Sequence, residues 1–577
     1  MKLKLVSWST VTLICVFGAY ALFQNFSSTD RVISTSLSIG AIYPRISPDG
    51  TQAAVSYQGS LWRVSLETGA MARLTSGEGF DIQPAWSQDG EQIAFLRTRG
   101  FYTGELRILE VSSGQERELP RLVSARGKLF FHPNGERILG SFRSDEEDGY
   151  VLGWFEIASG KVNALRASPG WRQSFALSHS GNWVIAATDQ DQPGHQGGNF
   201  GPYTDLWQWP SGGGEPRLLT QFPARVYDLH WRSDDRALYV VTDLGGAHYD
   251  IWEIPLDDPD HGRRQLTFGQ GDEDSPSVTP SGSRLLYTDN RYGPTSLVLR
   301  DLNTGNEAWL DVSALDFSDS TGTLQLSVSD AATGRPIEAR VAIRDQQGQY
   351  YAPPGSLYRF VANDLQFYLD RSDRFELPAG VYRIKVHRGP EYQVEEVDFT
   401  IQPGQVRELA VRLRRWTDQR SQGWYSGESH IHANYGYGHW YNSPRTARLQ
   451  GAGEDLIVCN FMVANSDGDG VFDREFFLGY PDPLSDEDTV LYWNQEFRST
   501  IWGHMTLLNL TRLVEPIFSG FPHTTHPHDY PTNAMIADHV HDQDGHVNYT
   551  HPAHNVKDPY LSAYSAKELP IDVALGK

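Results

Sequence analysis

A turn signature recurs six times between residues 40 and 305, and it limits what this chain can fold into more than any other feature. The most regular copies read Tyr43-Pro44-Arg45-Ile46-Ser47-Pro48-Asp49-Gly50 and Pro84-Ala85-Trp86-Ser87-Gln88-Asp89-Gly90. Looser copies surround Pro133-Asn134-Gly135, Ser178-His179-Ser180-Gly181, Ser233-Asp234-Asp235 and Pro280-Ser281-Gly282. Their spacing of roughly 40 to 55 residues is that of propeller blades. Each turn leads into an alternating apolar stretch, such as Gln92-Ile93-Ala94-Phe95-Leu96. A second strand follows, as in Ser60-Leu61-Trp62-Arg63-Val64 or Asp250-Ile251-Trp252-Glu253-Ile254. An Asp-Gly turn joins antiparallel strands, and a four-stranded sheet of this size must bury both faces against neighbours. Six copies predict a six-bladed β-propeller over residues 31–310. Gly and Pro, 54 and 32 of 577 residues, suit such a turn-rich chain.

These repeats resemble the TolB-type, or PD40, propeller repeats. The resemblance implies a docking platform for a ligand or protein partner at the channel mouth, or a plain spacer beside the next domain. His132, His179 and His230 fall in or beside the repeated turns and are read as structural.

Ahead of the repeats, Lys2 and Lys4 precede an apolar run from Leu5 to Phe23, which reads as an export signal within residues 1–30. Ala19-Tyr20-Ala21 offers a cleavage site, while the run's length leaves retention as a membrane anchor open. The rest of the chain is expected in the periplasm or outside the cell, tethered to the inner membrane if the run is kept. The net charge of −23 excludes a nucleic-acid partner, since phosphates would be repelled. Only two cysteines occur, Cys15 and Cys459, so no disulfide or thiolate metal site is expected. Any metal must be held by His, Asp and Glu.

Residues 311–418 change pattern. Short alternating strands, such as Thr323–Val328, Ala339–Arg344, Gly380–Val386 and Val406–Leu413, predict a small β-sandwich. It resembles immunoglobulin-like and carboxypeptidase-regulatory-like modules, which pack beside a catalytic domain.

Residues 419–577 alternate apolar strands with a helical stretch. Asp455–Val463, Thr489–Trp493 and His504–Leu510 read as buried strands. Thr532 is expected to cap a helix ended by Gly545. The pattern predicts an α/β barrel-like sheet, in which side chains at strand ends converge. His430 and His432 are two apart on a strand and so share a face. Glu496, His504 and His551 lie at predicted strand ends. Imidazole and carboxylate suit Zn²⁺, Mn²⁺ or Fe²⁺. Two such ions could share Glu496, and an activated water would attack a phosphorus or carbonyl centre.

The order of His-x-His, a strand ending in Glu496, Gly503-His504 and Thr550-His551-Pro552 resembles the PHP (polymerase and histidinol phosphatase) metallohydrolases. Gly423 to Gly436, with Gln495-Glu496-Phe497, Trp502-Gly503-His504 and Tyr530-Pro531-Thr532-Asn533, looks closer still to the carbaryl-hydrolase-like (CehA/McbA) branch. The resemblance implies a distorted-barrel domain with His430, His432, Glu496, His504 and His551 as ligands of two or more divalent ions. It adds His439 as a further ligand, and Glu496 and His551 as catalytic groups. It implies a metal-dependent hydrolase acting on a small-molecule ester, carbamate, amide or phosphoester.

Two departures stand out. Asn465 lies where the family carries Asp-His, and the closing Asp-x-His pair has no counterpart before Lys577. The domain is therefore expected to be incomplete, the chain being read as a fragment. The rival reading is a non-catalytic envelope scaffold with a degenerate hydrolase domain. Asp467-Gly468-Asp469-Gly470 with Asp473 hints at a calcium loop without the full alternation of ligands. His523, His526, His528 and Asp529 read as an active-site loop or a second metal site.

Overall fold

The computed structural model describes residues 40–551 and Asp572, apart from 100–102, 145, 147–148, 168–173, 189–204, 313, 362–363, 437, 467 and 523. The export signal lies outside the described residues. Among those described, no helix is long and apolar enough to cross a membrane.

Six four-stranded units succeed one another from Ile42 to Trp309. Their inner strands are β1 (Ile42–Ile46), β2 (Phe80–Trp86), β3 (Ser124–Phe131), β4 (Ser174–Leu177), β5 (Val226–Trp231) and β6 (Glu273–Val278). Each packs beside the next, and β6 returns to β1, so the six blades form a ring. The ring is sealed by hydrogen bonds from Gly40 N to the Thr295 carbonyl (2.9 Å) and from Ile46 N to Ser277 Oγ (2.9 Å).

The repeated signature has a direct structural cause. Ser47 Oγ donates to Asp49 Oδ1 (2.5 Å), which also accepts from Thr51 N (3.0 Å), while Gly50 takes the positive φ of 73° that the turn needs. Ser87, Asp89 and Gly90 repeat the arrangement. Three inner strands bulge where Tyr43, Gln83 and Ser275 adopt positive φ just before Pro44, Pro84 and Pro276.

The bulges turn polar groups toward the axis. Lys128 on the third blade reaches past the fourth to pair with Asp228 and to donate to the Leu229 carbonyl (2.8 Å). Arg45 and Asp274 are buried with them.

The second domain is a sandwich of two sheets. Thr321–Asp330 pairs with Ser372–Pro378 and, in parallel, with Val406–Leu413. The other sheet is built on Ala339–Asp345 and Gly380–His387. Its core is continuous with that of the first blade, as Trp62 meets Phe317 edge-on at 5.2 Å within one buried cluster.

The C-terminal sheet runs in the order β7 (Gly427–Ile431), β8 (Val458–Asn465), β9 (Val490–Ser499), β10 (Gly503–Leu508) and β11 (His546–Tyr549). Helix α1 (Pro444–Gly453) provides the crossover between β7 and β8, with Ser443 capping it through Thr446 N. Helix α2 (Asn533–His541) follows Thr532, whose side chain makes no capping bond. Charged pairs bind this sheet to the sandwich: Arg388 and Arg415 with Asp455 (3.2 and 2.8 Å), and Arg335 with Asp488 (2.5 Å).

The expected α/β barrel is not what the described residues form. Strands β7 to β9 are parallel, but β9–β10 and β10–β11 are antiparallel, and α1 and α2 are the described α-helices. The reason is local. Three residues, 500–502, separate β9 from β10, too few for a crossover helix, so the chain turns back as a hairpin. Strand β9 also runs three residues beyond Glu496, which therefore lies within the strand rather than at its end.

Candidate metal centre

Strand periodicity places Glu496 and Arg498 on one face of β9, and the hairpin sets His504 directly opposite Arg498. His430 comes from β7, two strands away, and His432 follows just beyond that strand. His551 follows β11 with a φ of 34°, in the left-handed region that a non-glycine residue rarely adopts. Such strain tends to persist where surrounding structure imposes it, often at functional sites.

The five side chains meet around Glu496. His430 Nε2 and His432 Nε2 are 3.0 Å apart. Glu496 Oε2 lies 3.1 Å from His432 Nε2, and Oε1 lies 3.5 Å from His430 Nε2. Oε1 is also 3.1 Å from His504 Nδ1 and 3.8 Å from His551 Nε2. Two sets of three donors thus share the one carboxylate: His430, His432 and Glu496, then Glu496, His504 and His551. Donors bound about 2.1 Å from a common ion stand roughly 3.0 to 3.4 Å apart, so the closest separations fit a divalent cation.

Electrostatics point the same way. Glu496 is almost wholly buried, which raises its pKa, but hydrogen bonds from the four imidazoles outweigh this and hold it well below the usual carboxylate range. Burial pushes His504 down to about 4, against the pull of Glu496, and the nearby Arg498 adds to the effect. Burial also lowers His432. At neutral pH this favours an ionised Glu496 beside neutral His432 and His504, the protonation state a metal requires of these ligands.

His439 does not join this group. Its ring meets Tyr43 edge-on at 5.4 Å, and Asp274 and Asp272 act on its charge, so it sits against the propeller. The short loop after His432 is drawn there by Gly438, whose N–H donates to Asp272 (3.1 Å) and whose carbonyl accepts from Asn290 (2.8 Å). Asn465 is also turned away: its amide donates to the Gly468 carbonyl (2.9 Å), and its own carbonyl accepts from Arg498 (2.5 Å).

The minor candidates resolve into structural roles. Of the calcium-loop candidates, Asp467 lies outside the described residues, while Asp469 accepts from Thr525 and Asp473 from Asn434, two separate contacts. Asp529 accepts from Ser499 Oγ, Thr500 Oγ1 and Ile501 N (2.9, 3.1 and 2.9 Å), bracing the β9–β10 hairpin. His526 packs on Phe518, and His523 lies outside the described residues. His132 and His179 bond within or between blade turns, and the ring of His230 meets that of His179.

Two neighbours of the cluster were given no role by the sequence motifs. Arg498 is fully buried, with Nε 3.9 Å from Glu496 Oε2. The ring of Tyr435 packs against that of His432, with centroids 4.2 Å apart and the planes tilted by 31°. The period of two along β9 was the available signal for Arg498.

No family model matches the chain. Among curated proteins it is similar to a protein of Bacillus subtilis (strain 168) named "Uncharacterized peptidase YuxL", 32% identical over 106 residues. That likeness covers 17% of this chain and 16% of the relative, so the chain spans only about a sixth of that protein's length. Among solved structures it is similar to TolB from Acinetobacter baumannii, at 16% identity and a TM-score of 0.36 over 46% of this chain and 62% of that one. It is also similar to the β-propeller domain of the Trilobed protease from Pyrococcus furiosus, at 15% identity and a TM-score of 0.32 over 47% and 84%. A third likeness is to prolyl endopeptidases, at 12% identity and a TM-score of 0.32 over 69% and 56%.

Proposed function

We propose that this chain is an exported metal-dependent hydrolase whose centre is the five-residue cluster around Glu496. The observation that carries the reading is the convergence of His430, His432, His504 and His551 on a single buried carboxylate. The order of these residues in the PHP and carbaryl-hydrolase-like pattern supports it. Export rests on the apolar run from Leu5 to Phe23.

Divalent ions held there would polarise an ester, carbamate, amide or phosphoester and make a water acidic enough to serve as nucleophile at neutral pH. The protein's share follows from the geometry. Glu496 presents Oε2 beside His432 and Oε1 beside His430, His504 and His551, so it can bridge the two donor sets. His504 is closed off from solvent, whereas His430, His432 and His551 keep 24, 21 and 32% of their side chains exposed. The open side of the cluster is therefore the substrate's approach. His551, the most exposed of the five, carries the second donor set to the solvent-facing edge of the cluster, where a substrate would meet it.

The test is metal content by elemental analysis of the full chain, together with hydrolysis of model ester, carbamate, amide and phosphoester substrates. One or more Zn, Mn or Fe per chain is expected. His430→Ala should lose both metal and activity. A metal-free protein with undiminished hydrolysis would falsify the reading.

A further inference from the structure

We propose that Tyr435 is a positioning residue of the metal centre, through which the propeller fixes the orientation of His432. This rests on the cluster being a metal site.

An imidazole ligand is useful only if its ring is turned so that the correct nitrogen faces the ion, and that rotation is set by what the ring touches. Apart from His430 and Glu496, the ring of His432 meets that of Tyr435, tilted by 31° with centroids 4.2 Å apart. On Tyr435, in turn, Arg498 lies 5.2 Å from the ring centroid. One aromatic ring thus links a candidate ligand to the buried cation beside Glu496.

Tyr435 belongs to a loop that the propeller holds. Within six residues of it, Gly438 is bonded in both directions to Asp272 and Asn290. Tyr441 N donates to the Gly293 carbonyl (2.9 Å). From the other side, Phe472 meets Tyr435 at 6.2 Å and His248 of the propeller at 5.4 Å. The close fit continues at Gly470, where a Cβ would lie 2.4 Å from Ala247 Cα. Contiguous packed rings and hydrogen bonds thus run from the propeller to the ring beside His432, and the Asn290 variant below tests whether they are coupled.

The experiment uses the full chain with Co²⁺ as probe, reading affinity by competition with a chromophoric chelator and geometry by the visible absorption bands. Tyr435→Ala should weaken Co²⁺ binding about tenfold, in line with losses seen for residues that orient ligands, and should shift the bands. Tyr435→Phe keeps the ring and should restore both. Tyr435→Leu, which keeps bulk but not the ring face, makes the same test should the alanine chain not fold. Asn290→Ala, outside the cluster, should give a smaller change in the same direction. Wild-type affinity and bands in the Ala or Leu chain, or failure of Phe to restore them, overturns the role of Tyr435 alone. A wild-type chain that takes up no Co²⁺ overturns the metal reading and this role with it.

Discussion

Lys128 and Asp228 sit at the propeller axis as a buried ion pair, and each depends on the other. Burial pushes Lys128 down to about 8, against the pull of Asp228. Removing one member leaves the other charge without its main partner. Lys128→Met is therefore expected to destabilise the fold by about 3 kcal/mol, and Lys128→Met with Asp228→Leu by much less. Urea unfolding of the three chains measures the difference. A second buried group lies between the fifth and sixth blades. Burial raises Asp250 from 3.8 to about 6, with Glu273 hydrogen-bonded to it and Asp289 close to Glu273. An acid with a raised folded value ionises first in the unfolded chain. Its contribution is thus fully present below about pH 4 and lost as pH rises through about 6. Asp250→Asn should flatten the fall in thermal midpoint between pH 4 and 7, and an unchanged slope would refute this assignment. Neither group was legible in the sequence. Lys128 and Asp228 are 100 positions apart, and only the bulged ring brings them together.

The hairpin joining β9 to β10 shows what was legible among elements and what was not. Strands around Glu496 and His504 follow from the apolar runs. Their antiparallel pairing does not, because parallel and antiparallel partners share the same alternation. The three-residue gap at 500–502 imposes it, and Asp529, nearly 30 residues downstream, braces the turn with three bonds. Asp529 also explains why no side chain fits at Gly520, where a Cβ would fall 2.2 Å from Asp529 Oδ1. Asp529→Ala should cost about 2 kcal/mol through unsatisfied turn donors. Because the turn sets the spacing of Glu496 and His504, the same variant should lower metal content. Differential scanning calorimetry and elemental analysis report the two effects separately. The blades, by contrast, were legible from their recurring turns, two of which, Ser47–Gly50 and Ser87–Gly90, carry the same Ser-x-Asp-Gly bonding pattern within five residues. The five cluster residues follow one another as an ordered set and the structure brings them together, whereas His439 lies apart because the loop bearing it is bonded to the propeller.

At the scale of the molecule, the domains are not beads on a string. Trp62 and Met71 of the first blade share one buried cluster with Phe317, Leu324 and Val341. Ser60 Oγ donates to Gln349 (2.9 Å), and Gln58 Nε2 to the Ala352 carbonyl (2.7 Å). A chain ended at residue 310 would present that apolar face to water and is expected to self-associate. Size-exclusion chromatography of the truncated chain checks this, and a stable monomer would contradict it. The ion pair between Lys128 and Asp228 has a consequence for selectivity as well. That pair joins the third blade to the fifth across the hub, so on the proposed reading a substrate meets the cluster from its exposed side rather than by threading the blades. On that reading discrimination falls to the exposed side of the cluster, between His430 and His551, where a bulky or polymeric molecule could present a single bond while most of it stays outside.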